Sequence, residues 1–150
     1  MITNPVFHLY RAAHEFLDAL AVHKFQKVEG EWREVLVDID EEKKGEELRF
    51  IISRNKTPAC VLLEQPSVSQ VLGDRDSLEI SPSAWNIITH LQTRVVEDGG
   101  AALIADYGHQ GEEGDTLRAF ARHKQVDPLR LPGTADITAD VDFSLLRAQV

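Results

Sequence analysis

The sequence predicts an α/β fold, and three observations carry that prediction. Between Ser81 and Tyr107 an amphipathic segment, a glycine pair and a short apolar run follow one another. Between Glu31 and Ile52 two short apolar runs flank an acidic stretch. In the first twenty residues, apolar side chains recur at helical spacing. A chain of 150 residues with 43% hydrophobic and 27% charged residues is expected to form one globular domain with a single core of useful size.

In chain order, Asn4 is a helix N-cap, Pro5 suits the first helical position, and Val6, Leu9, Ala13, Phe16, Leu17 and Leu20 form the stripe of a first helix. Val22 to Lys27 turns strand-like. Trp32, Val35, Val37 and Ile39 stand among polar and acidic residues, Leu36 adds apolar character, and Leu48, Phe50, Ile51 and Ile52 form a second run. With the charged stretch Asp40 to Glu47 between them, these read as two strands joined by an acidic turn. Val61, Leu62 and Leu63 suggest a further short strand. Ser81 caps the next helix, Pro82 opens it, and Ala84, Ile87, Ile88, Leu91, Val95 and Val96 line its apolar face. Gly99 and Gly100 stop it. The run AALIADY then reads as a strand buried on both faces, completing half of an α/β crossover unit. Beyond Tyr107 the glycine-rich GHQGEEGD suggests a flexible exit. Thr116 to His123 suggests a short helix, and a final helix is expected near Asp142.

The net charge of −9 argues against a nucleic-acid surface, which needs a basic patch, and is compatible with a basic partner. Cys60 is the single cysteine, so no intrachain disulfide is expected and a reducing compartment fits. No apolar run approaches the roughly 20 residues of a membrane helix. The N-terminal segment lacks the basic start and apolar core of a signal peptide. With Arg11 its only arginine and Glu15 and Asp18 close behind, it also lacks the character of a mitochondrial presequence.

Two places suit chemistry. Asp106, Tyr107 and His109 stand at the carboxyl end of the predicted strand, where ligands bind in open α/β sheets. The same residues also suit a turn cap, a packed ring and a solvated imidazole. Glu15 and Asp18, three apart, share one side of a helix and together suit a guanidinium, or else form a solvated acidic face. The six histidines match no zinc spacing, so no metal is expected. There is no G-x-S-x-G elbow, no Walker loop and no G-x-G-x-x-G turn.

Four segments resemble, in order, the MidA-type S-adenosylmethionine-dependent methyltransferases. AHEFLDALAVHKFQK is similar to the family's A-N-E-F-F-D-A-L-P-V-H-K-F block, and WREVLVDID to the strand after it. GGAALIADYGH resembles a late sheet strand with its polar exit, and PGTADITADVDFSLL the G-T-A-D-I-T-A-D-V-D-F block. His14 stands where the family has asparagine and Ala21 where it has proline, and the residues before Ala13 do not read as the buried strand expected there. The resemblance implies a partial Rossmann-like, seven-strand methyltransferase fold with a β-hairpin insertion. Residues 1–150 would be the C-terminal portion of a single methyltransferase domain whose N-terminal, donor-binding half lies outside this sequence. It implies S-adenosylmethionine as methyl donor, an arginine of a complex I subunit as acceptor, a role in complex I assembly, and a mitochondrial matrix location. Carried over by motif, Glu15, Asp18 and Asp106 are catalytic candidates. Tyr107, His109, Asp136, Thr138 and Asp142 are substrate-binding candidates, with Gly108 inside the same D-Y-G-H block. The chain alone is expected to be inactive, and a homo-oligomer stays open. The alternative is a non-catalytic assembly adaptor that binds its partner through Trp32 to Ile52.

Overall fold

The computed structural model describes residues 9–43, 47–130 and 132–150. Its largest element is an antiparallel sheet of strands β2 (His23–Val28), β3 (Glu31–Ile39), β4 (Leu48–Ile52) and β5 (Ser77–Ile80), in the order β4-β3-β2-β5. The expected strand pair joined by an acidic turn is therefore present as β3 and β4. Side chains alternate across a strand, so Phe25, facing Leu78 across the β2–β5 ladder, turns to one side of the sheet. There Phe25, Leu78 and Ile80 pack with Cys60, Val68 and Leu145 as a buried cluster. Cys60 comes from a 3-10 helix, Pro58–Glu64, and Val68 from α1 (Pro66–Val71). A strand over Val61–Leu63 was the sequence expectation; Pro58 at the start, and backbone bonds that close tight turns instead of pairing a neighbour, produce the helical winding.

The helix α2 (Pro82–Asp98) starts as expected: Ser81 Oγ accepts the Ala84 N–H at 3.2 Å and Pro82 occupies the first turn. It ends at Gly99, whose φ of 72° is open to glycine at little cost. Strand β6 (Gly100–Ala105) follows and pairs in parallel with β1 (Leu9–His14), Leu9 opposite Gly100 and His14 opposite Ala105. The predicted N-terminal helix is thus a strand over Leu9–His14 and a turn over 15–20; Asn4, Pro5 and Val6 lie outside the described residues. Helical spacing of short alanine-rich text is a weak signal, and the β6 ladder overrides it. Strand β6 is not buried on both faces either. Leu103 is 67% exposed and its neighbour on β1, Tyr10, 73% exposed; only Ile104 is tucked against α2.

The C-terminal third is built from small pieces. β7 (Gly108–His109) pairs in parallel with β11 (Val141–Asp142). β8 (Arg118–Ala121) lies between β9 (Lys124–Val126) and β10 (Asp136–Thr138) in an antiparallel trio. The short helix expected over Thr116 to His123 is therefore a hairpin, because Arg122 and His123 both adopt positive φ and reverse the chain. The final helix, α3 (Phe143–Arg147), is where it was expected. Its Leu145 belongs to the first cluster, while Leu146 packs with Leu17, Ala84, Ile88 and Val141 in a second. One turn of helix joins the two cores.

The carboxylate-lined end of the parallel strands

Strands β1 and β6 end side by side, so their outgoing loops meet. Glu15 leaves β1 with φ 47° and donates its N–H to the Ala105 carbonyl at 3.0 Å. Asp106, the first residue past β6, then accepts from the N–H groups of Phe16 at 2.9 Å and Leu17 at 2.7 Å through one oxygen. The Asp18 N–H approaches that oxygen at 3.4 Å, and the Tyr107 N–H donates to the other at 2.9 Å. One carboxylate thereby fixes the 16–18 turn. A carboxylate receiving several backbone donors is a strong arrangement because each bond is charge-assisted.

The turn is held from below by Leu17, which is buried in the second core. Next to it Asp18 is buried as well, at 8% exposure. Burial raises the Asp18 carboxyl above its ordinary value, and the charge and hydrogen-bonding of Asp106 add to the rise, with a smaller push from Glu15. Glu15 itself is exposed. The premise that Glu15 and Asp18 share a helix face is overturned, since they sit in a turn. The structure nonetheless brings Glu15, Asp18 and Asp106 to one strand end.

The third segment closes the group. Ala139 N–H donates to the Asp18 carbonyl at 3.0 Å, and Val141 N–H to the Tyr107 carbonyl at 2.8 Å. Tyr107 is exposed, whereas His109 is inside its own loop, its Nδ1 accepting the Gly111 N–H at 3.0 Å. That bond places the proton of a neutral ring on Nε2. Thr138 lies at the end of β10 with its neighbour Ala139 buried, and Asp136 is exposed at the start of that strand. Asp142 turns inward: one oxygen caps α3 through Ser144 N–H at 2.9 Å and Leu145 N–H at 3.1 Å, and the other meets Arg75 Nη1 at 2.5 Å. Asp142 therefore holds the wall together through both carboxylate oxygens.

The glycines of the exit loop are packed, not flexible. A methyl group on Gly108 would lie 2.2 Å from the Val141 carbonyl, on Gly111 1.9 Å from Arg75, and on Gly114 2.3 Å from the Ser77 carbonyl. Two buried acids complete the frame and were not singled out in the sequence. Glu79 accepts from Thr116 N–H at 3.0 Å, Thr116 Oγ1 at 2.6 Å and Leu117 N–H at 3.2 Å, pinning the β8 arm to the sheet. Glu34 meets His23 Nδ1 at 2.7 Å and also Thr57. The signal for Glu79 was present, an acid set between the apolar Leu78 and Ile80.

Exposed Glu15 at this strand end adds a second carboxylate on the solvent side of Asp18. The buried Asp18 carboxyl fits a group that brings its own positive charge. Among the described residues, no three His, Cys, Asp or Glu side chains gather as a metal would require.

This chain is similar to known proteins along nearly its whole length. A family model described as "Putative S-adenosyl-L-methionine-dependent methyltransferase" matches residues 2–150. The zebrafish (Danio rerio) protein arginine methyltransferase NDUFAF7, mitochondrial, is 53% identical over 90% of this chain, and the human (Homo sapiens) protein of that name 48% identical over 95%. In each case the match spans 31% of the relative's length. A COG1565 superfamily member from Burkholderia thailandensis, solved with S-adenosyl-homocysteine, superposes with a TM-score of 0.67 at 26% identity, covering 99% of this chain and 39% of that one.

Proposed function

We propose that this chain, which belongs to the MidA-type family of S-adenosyl-L-methionine-dependent methyltransferases, forms the acceptor-side wall of a protein arginine methyltransferase. The observation that carries the reading is the buried Asp18 carboxyl held beside Asp106 where β1 and β6 end. In this reading the β1–β6 pair is part of a seven-strand Rossmann-type sheet, the antiparallel sheet is the hairpin insertion, and the donor is held mainly by an upstream half of the same domain. The acceptor is a complex I subunit, the setting the mitochondrial matrix, and the outcome support of complex I assembly.

The donor supplies an electrophilic methyl group on a sulfonium. The chain's own residues prepare the nitrogen that receives it. An arginine nitrogen reacts only when aligned and near, and its positive charge must be offset at close range. Asp106 does not touch the guanidinium, since backbone donors occupy its oxygens; it is a positioning residue that fixes the 16–18 turn. Asp18, protonated more readily than an ordinary aspartate, loses that proton as a guanidinium arrives and accepts N–H bonds from it. Glu15 adds a second carboxylate from the solvent side. As the new C–N bond would form and the methyl–sulfur bond break, leaving a neutral thioether, the nitrogen would release its proton toward these carboxylates. Tyr107 and Thr138 flank the acceptor.

The test is radiolabelled methyl transfer to an arginine-bearing protein acceptor, using the chain extended upstream with the corresponding portion of a relative. Asp18→Asn is expected to reduce turnover by about 100-fold or more, the scale on which a positioned acid–base group contributes. Donor affinity, read by calorimetric titration, should be unchanged. Unaltered turnover in Asp18→Asn overturns the assignment. Saturable donor binding by the 150-residue chain alone overturns the division between the two halves.

A further inference from the structure

The face of the antiparallel sheet turned away from the core carries an apolar ladder that the fold does not use. Val35 stands opposite Ile52, Val37 opposite Phe50, and Ile39 opposite Leu48. Val37 is 54% exposed, Ile39 52%, Phe50 40% and Ile52 41%. Contiguous apolar surface of this kind marks interaction sites in soluble proteins. The ladder runs into a groove of about 380 Å³ between the sheet and the β10 strand, with Val35, Val37 and Phe50 on one wall and Leu117, Ile137 and Thr138 on the other. The groove is also lined by Ala19 and Ala139. Ala19 follows Asp18 in the chain, and Ala139 bonds the Asp18 carbonyl. Among the described residues the rim of the ladder is acidic: Asp38, Asp40, Glu41, Glu42 and Glu47 stand against Lys43 and Arg49. Lys24, the cation lining the groove, is already paired with Asp115.

We infer that the groove and ladder take an extended, apolar segment of the acceptor protein that carries the arginine, with the arginine directed toward Asp18. The inference rests on the arginine-methyltransferase reading and names the surface that selects the substrate. From Val35 to Ile39 a strand rises roughly 13 Å, so four or five extended residues fit along the ladder. Apolar flanks would bury against the exposed side chains, while the acidic rim attracts the basic segment and sets its direction.

The probe is a synthetic nonapeptide with a central arginine between valines and leucines, read by fluorescence anisotropy. Beside it run a counterpart with serine flanks and one with citrulline in the centre. The protein is the 150-residue chain and, separately, its upstream-extended form. In both, the apolar-flanked peptide is expected to bind at least ten-fold more tightly than the serine-flanked one. Phe50→Ser and Val37→Ser should each weaken it about five-fold or more. Val61→Ser, an equally exposed apolar residue elsewhere, should change nothing. Thermal melts of the variants, whose altered side chains lie outside the core, guard against a folding defect.

Equal affinity for serine-flanked peptide, or binding undiminished in both ladder variants, overturns the proposal. So does a dimer in sedimentation that Phe50→Ser dissolves, or binding to anionic vesicles that the same variant abolishes, because the face then belongs to a second copy or a lipid surface. Loss of peptide binding in the extended form alone also overturns it, since upstream residues then cover the ladder. Flank dependence with no preference for arginine over citrulline leaves the groove standing and sinks the arginine reading. The reverse result spares that reading and removes the groove.

Discussion

Asp106 shows how a residue that looks catalytic in sequence works through others. Both its oxygens are engaged by backbone N–H groups of residues 16, 17 and 107, so its removal leaves the part-buried donors of Leu17 and Asp18 without partners, while those of Phe16 and Tyr107 face water. Each such orphan costs about 1–3 kcal/mol. Asp106→Ala is therefore expected to lower stability by about 2–4 kcal/mol, read by chemical denaturation, and to abolish turnover together with the shape of the turn. Asp106→Asn keeps one acceptor oxygen and should lose about half as much. Asp18 behaves oppositely. Its carboxyl is raised above the ordinary 3.8 on folding, so the folded state favours its protonated form. Stability from this group is full below the ordinary value and is lost as pH rises through the raised one. Calorimetric melting temperatures should accordingly fall across that window in the wild type, and the fall should be smaller in Asp18→Asn. An identical pH profile in the variant would show that Asp18 ionises as a free aspartate.

At the scale of elements, the exit loop depends on close approaches. Gly108 sits where β7 meets β11, and any side chain there strikes the Val141 carbonyl 2.2 Å away. Gly108→Ala should destabilise the protein by about 1–3 kcal/mol, the usual cost of overpacking. Amide exchange would detect it as lost protection at Val141. The hairpin turn of β8 and β9 offers the contrary case. Arg122 and His123 take φ values of 51° and 61°, which non-glycine residues adopt only at a cost. Replacing the pair by Asn-Gly, the natural text of such a turn, should raise stability by about 1 kcal/mol; a lowered melting temperature would refute that account of the turn. These elements also show what a single sequence reveals. Helix α2 was legible because Ser81, Pro82 and Gly99 mark both ends and its stripe spans several turns. Strand β1 was not, because six residues of alanine-rich chain obtain their conformation from β6, about ninety positions away, and not from their own preferences. The β8–β9 hairpin was hidden because arginine and histidine occupy a turn that sequence reading expects glycine or asparagine to mark.

For the whole molecule, α3 is the joint. Its cap Asp142 is buried and paired with Arg75, and its two leucines enter different cores. Asp142→Ala would strip the cap and remove the carboxylate partner of the part-buried Arg75 guanidinium, an expected loss of about 2–4 kcal/mol. Near-ultraviolet circular dichroism should report loosening at Trp85, which touches both clusters. The convergence of Asp18, Asp106 and the 136–142 segment was readable from the family-like blocks, which come in order along the chain. Their division of labour was not, because only burial and hydrogen bonding separate Asp142, turned inward, from exposed Glu15 and Tyr107.

The bond between Phe16 and Asp106 joins residues 90 apart. During synthesis at about 5–20 residues per second, the segment that becomes β1 therefore waits roughly 5–20 s on a ribosome before its partner strand has been made. The antiparallel sheet, whose four strands lie within residues 23–80, has time to form first. Tyr10 and its neighbours lack the β6 ladder meanwhile, and a holding chaperone would find its natural window there.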